Sequence, residues 1–62
     1  MNTRGALSRA VLAHRDRRSA ESMVLHAARR ISGDRCLNDP IKALDILGAE
    51  GVTWHDVLTI NS

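Results

Sequence analysis

The chain has no Phe and no Tyr, and Trp54 is its one aromatic residue. Any core must therefore be aliphatic, made of Leu, Ile, Val and Ala. One cysteine, Cys36, excludes an intrachain disulfide, and an unpaired thiol fits a reducing, cytoplasmic setting. One proline and four glycines leave long stretches without a breaker. No apolar run reaches the ~18 residues of a membrane span. The apolar stretch after Arg4 is cut by Ser8 and Arg9, which does not fit a secretory signal. Lysine is scarce too: eight arginines accompany Lys42, a ratio that a GC-rich genome produces by itself.

These shortages matter because the chain is small. Sixty-two residues make at most one domain. A domain of that size buries only about 60% of its unfolded surface. Without a disulfide, the usual remedies are a metal or association with another chain. Self-association is the expected stabiliser.

What the sequence does have is a long arginine-studded run. From Ala6 to Ile31 there is neither Gly nor Pro, and good helix formers dominate. Arg29 and Arg30 suit the negative end of a helix, and Gly33 can terminate it. Leu7, Ala10, Val11 and His14 share one face at the start. Ala20, Val24, Ala27, Ala28 and Ile31 share another at the end, with Met23 and Leu25 beside them. The intervening His14–Ser19 is polar all round. One straight helix over residues ~4–31 is expected, because nothing in the gap ends it; two helices parted near Asp16 to Ser19 are the alternative.

A loop follows over 32–39, with Cys36 and Leu37 tucked inward. Asp39 and Pro40 then mark a helix start as cap and first residue. This helix, ~40–50, carries Ile41, Ala43, Leu44, Ile46 and Leu47 over more than half its circumference, so it is covered on two sides. Gly51 suits its C-terminal turn. Thr53 and Asp56 form a compact capping box for a short helix at ~54–60, with Val52 and Val57 at the staple positions. Trp54, Val57, Leu58 and Ile60 would line its inner side, and His55, Asp56 and Thr59 would face water. The segment Leu-Gly-Ala-Glu-Gly-Val-Thr-Trp-His-Asp-Val-Leu, residues 47–58, resembles tail segments of small bacterial and phage-borne helical proteins. It implies no particular family.

Charge is unevenly spread. Residues 1–31 hold seven arginines against Asp16 and Glu21, +5; residues 32–62 hold Arg35 and Lys42 against five acids, −3. Such an asymmetry points to contact with an opposite charge, either within the protein or on a partner.

Chemistry is harder to find. His14, His26, His55 and Cys36 lack the close pairs that clamp zinc, so no metal or cofactor is expected. His55 and Asp56 are adjacent and diverge by ~100° on a helix, so neither can orient the other. No Gly-rich phosphate loop is present. The chain is therefore read as a non-enzymatic, all-α protein: a long helix, then a helical hairpin, pairing as an antiparallel homodimeric bundle. Leu7, Val11, Val24, Leu25, Ala28, Ile31, Leu44 and Leu47 are the expected self-interface. The expected function is protein binding, as a small regulator, adaptor or inhibitor of the sort phages and mobile elements encode. Arg15, Arg17, Arg18 and Trp54 are the candidate contacts, Trp and Arg being the side chains that dominate hot spots. The bland reading of Trp54 is a core anchor. The alternative function is an arginine-rich nucleic-acid regulator, with phosphates along Arg9, Arg15, Arg17 and Arg18. A helix-turn-helix over residues 39–60 is disfavoured, because its reading helix would carry no Arg or Lys.

Overall fold

The structure is a computed structural model that describes residues 3–33 and 38–62. Those residues form α1 (Arg4–Ala13), α2 (Arg17–Ser32), α3 (Pro40–Ala49) and α4 (Trp54–Asn61). Among the described residues the fold is all-helical, with four helices where the sequence suggested three.

The long first helix is thus corrected to two. It breaks at His14–Asp16, slightly ahead of the alternative site and without Gly or Pro. His14 and Asp16 both take extended backbone, at φ/ψ −66°/141° and −121°/99°. Side chains satisfy the backbone groups that the break exposes. The Asp16 carboxylate accepts the Ser19 N–H at 3.3 Å, and His14 Nδ1 accepts the Asp16 N–H at 3.0 Å. A straight helix over residues 4–32 would run roughly 43 Å, longer than the molecule's greatest extent of 27 Å.

Folding α1 back changes what the apolar residues do. It packs chiefly on α3, which also packs along α2, while α4 lies on α2. Leu7 and Val11 from α1 meet Ala20, Val24, Ala27 and Ala28 from α2 in one buried cluster. Ala43, Leu44 and Leu47 from α3 complete it, with Val52 and Val57 closing one end. Three alanines on the inner face of α2 let neighbouring backbones approach. The Cα radius of gyration, 9.9 Å, lies near the ~10.6 Å expected for a folded chain this long. The antiparallel pairing of long helices therefore loses its basis, since the faces meant for a second copy are filled by this chain.

The α3–α4 connection follows the local signals closely. Asp39 Oδ1 accepts the Ile41 and Lys42 N–H groups at 3.0 and 3.4 Å, and Pro40 opens the helix. At the other end Val52 N–H donates to Leu47 O at 3.0 Å and Gly51 N–H to Gly48 O at 3.1 Å. This is a Schellman motif, whose left-handed residue is Gly51 at φ +73°. Leu47 and Val52, its paired hydrophobic positions, are both buried. The Thr53–Asp56 capping box then starts α4. Asn61 fastens the end of that helix, donating to Met23 O on α2 at 3.0 Å and to Val57 O at 2.9 Å. The front of α1 is tied to the same hairpin: Thr3 Oγ1 donates to Val52 O in the turn, and Arg4 pairs with Asp45 on α3.

Two large apolar residues depart from expectation: Ile41 and Leu58 are 60% and 43% exposed. Ser32, placed in the loop by the sequence reading, ends α2 instead, with Gly33 after it at φ +69°. The expected inward tuck of Cys36 and Leu37 lies outside the described residues.

Candidate interaction surface

The break between α1 and α2 creates a corner, and that corner carries the chain's densest positive charge. Arg15 lies in the bend, and Arg17 and Arg18 are the first two residues of α2. All three are exposed. Among the described residues the ion pair is Arg4–Asp45, and none of the three has a carboxylate partner. Their position is electrostatically unfavourable. The start of a helix is its positive end, where each cation costs about 0.3–1 kcal/mol, and no acidic residue occupies this first turn. Local rules broken without a local gain concentrate at functional sites.

Beside the corner runs a groove of ≈ 220 Å³ between α1, α2 and α3. Its floor is Val11, Val24 and Leu44, with Leu12 and Ile41 rising at its sides. Ser8, Arg17 and Glu21 supply the polar lining. The volume falls below the ~300–1,000 Å³ of ordinary small-molecule sites. It suits one or two side chains.

Trp54 is half-buried and packs edge-on against His14, with ring centroids 6.1 Å apart and planes at 67°. It therefore braces α4 against the bend, close to the anchor role that the sequence suggested. The bend brings Trp54 near the segment bearing Arg15, Arg17 and Arg18, but half its role is internal packing.

The expected self-interface set is placed differently. Leu7, Val11, Val24, Ala28, Leu44 and Leu47 are all buried in the core of one chain, and Leu25 packs against it half-buried. Only Ile31 is exposed. Six of the eight cannot meet a second copy without opening the fold.

Remaining polar groups offer little chemistry. His26 and His55 are exposed, and among the described residues no three His, Cys, Asp or Glu side chains converge as a metal set. The Asp56 carboxyl is held below its ordinary value of 3.8, first by the Thr53 backbone N–H at 3.0 Å and then by the Thr53 side chain. Those contacts are the Asp56 half of the α4 capping box. Among the described residues no helix is long and apolar enough to cross a membrane.

No known relative decides the matter. No family model matches the chain, and no curated protein or solved structure does. Function must be argued from the surface itself.

Sequence reasoning found the arginine corner but missed the groove. From the sequence alone Ile41 reads as a covered residue of α3, and Leu12 belongs to no apolar face. One signal was available: on α1, Leu12 follows Val11 and points ~100° away from it, so the two cannot share one buried stripe.

Proposed function

We propose that this chain is a small, non-enzymatic protein-binding module, acting as a regulator, adaptor or inhibitor of another protein. Its contact surface is the α1–α2 corner bearing Arg15, Arg17 and Arg18, with the adjoining groove. The observation that carries the reading is the grouping of three exposed, unpaired arginines around a helix start, two of which, Arg17 and Arg18, sit at the positive end of α2. Arginine's planar fork makes it an effective contact residue once a partner supplies carboxylates. Self-association is no longer needed to complete a core, and any homodimer would have to use surface residues such as Leu12, Ile31 or Ile41.

The test is capture from the native host with the wild-type protein and an Arg15→Glu/Arg17→Glu/Arg18→Glu variant. A partner held by the wild type and lost by the variant supports the reading. The variant should fold at least as well, since acids suit the N-terminus of α2. An identical captured set would contradict it.

The same unpaired arginines favour one other reading, a nucleic-acid-binding regulator. Titration with duplex DNA and structured RNA at two salt concentrations separates the two. Phosphate binding must weaken as salt rises, because each neutralised phosphate releases counterions. No binding at low salt removes this alternative.

A further inference from the structure

The groove beside the arginine corner has a chemistry that selects among protein partners. Its floor residues Val11, Val24 and Leu44 are buried, whereas Leu12 and Ile41 stand 59% and 60% exposed at its sides. No other large hydrophobic side chain among the described residues is as exposed. Two such side chains flanking an apolar floor form a seat for an aliphatic anchor.

Charges of both signs surround the seat, but those left uncommitted are mostly positive. Arg17 lines it, Arg18 follows, and Arg9 lies one turn before Leu12 on α1. Against these stand Glu21 in the lining and the two cap residues Asp16 and Asp39. Both cap carboxylates already accept backbone N–H groups, and each sits at the positive end of its helix. The cations have no such partners among the described residues.

We propose that this groove receives the apolar anchors of an amphipathic helix whose flanks carry Asp and Glu. The inference rests on the protein-binding reading above and names the class of partner. A helix seated by one or two apolar anchors, at i and i+3 or i+4, presents its flanking residues to the rims of the groove. Acidic flanks there meet Arg9, Arg17 and Arg18, and basic flanks would be repelled. A nucleic acid would satisfy the arginines but leave Leu12 and Ile41 uncovered.

Two labelled helical peptides serve as probes. They share one leucine stripe and differ only in carrying Glu or Lys on the flanks. Fluorescence anisotropy is recorded with the wild type, Leu12→Ser and Ile41→Ser; both positions are exposed, and circular dichroism confirms folding. The Glu peptide should bind at least ~10-fold more tightly than its Lys twin at low salt, with the gap narrowing as salt screens the rims. Each serine variant should weaken it by at least ~5-fold, the loss of a buried aliphatic contact. Equal binding of the twins, no binding of either, or binding indifferent to both serine variants would overturn the proposal. So would a dimer in sedimentation that Leu12→Ser disperses, since the groove would then belong to a second copy. If the peptides fail while host capture still depends on Arg15, Arg17 and Arg18, only this occupant falls and the protein-binding reading stands.

Discussion

Replacing Leu7 by Ala should come close to unfolding this protein. Leu7 is fully buried and lies on α1, the helix that the bend returns to the bundle. Leu→Ala at such sites costs about 3–5 kcal/mol, the lost transfer energy plus the cavity left behind. A chain of 62 residues has roughly 3–9 kcal/mol of stability in total. The substitution therefore removes between a third and all of it. Leu12→Ala is the matched control: its side chain is 59% exposed on the same helix, so its cost should stay within about 1 kcal/mol. Urea melts followed by circular dichroism measure both. The wild-type midpoint should also hold constant over about a hundredfold range of protein concentration, because Leu7 is buried within its own chain. If Leu7→Ala and Leu12→Ala melt alike, α1 is not docked as described. If the wild-type midpoint climbs with concentration, the core is shared between chains after all.

Three further outcomes follow from the caps and the turn. Asp16→Ala should destabilise by about 1 kcal/mol, the usual worth of an N-cap, and removing a carboxylate adjacent in sequence to Arg17 acts in the same direction; a neutral result in a thermal melt would contradict the capped break. Gly51→Ala should cost about 1–2 kcal/mol, because its φ of +73° is strained for any residue with a Cβ; an unchanged urea midpoint would contradict it. Asp56 has a lowered folded value, so its contribution is complete above about 3.8 and disappears as pH falls through that lowered value. Over this acid window the wild type should lose stability relative to Asp56→Asn, while the difference between them stays flat near neutrality; parallel acid melts would show that the carboxylate is not held by Thr53.

What could be read from the sequence was whatever one turn of chain decides. Asp39 with Pro40, Thr53 with Asp56, and Gly51 each act on backbone groups within five residues, so their structures follow from chemistry visible in a short window. The bend was harder, because a break without Gly or Pro is settled by long-range packing. One global signal did exist. At ~100° per residue, the Leu7/Val11 face and the Ala20–Ala28 face would lie about 135° apart on a straight helix. One rod cannot turn both toward α3, and parting it at His14–Asp16 can. The capping carboxylate of Asp16 was a second sign, but its N3 partner is Ser19 instead of the Glu or Gln of a full box.

The same long-range packing explains the exposed residues. Ile41 sits in the first turn of α3, before that helix meets α1 and α2 fully, so its apolar character marks a groove wall. Leu58 follows Val57 on α4, and only Val57 faces the core. The arginine corner, in contrast, was legible as a cluster because Arg15, Arg17 and Arg18 are sequence neighbours. Its place at a helix start, which makes its cost meaningful, depended on the bend.

Folding of α1 back on its own chain is tested most directly by a distance between the two front helices. Spin labels at Ala6→Cys and Arg30→Cys, both exposed positions, in a background with Cys36 replaced by Ser, report it by pulsed electron resonance. A bend at His14–Asp16 folds α1 back against α2 and α3, so the labelled backbone sites lie closer together than on one rod. A continuous helix would set them roughly 36 Å apart, and a distribution centred there would contradict the fold and remove the corner on which the functional reading stands.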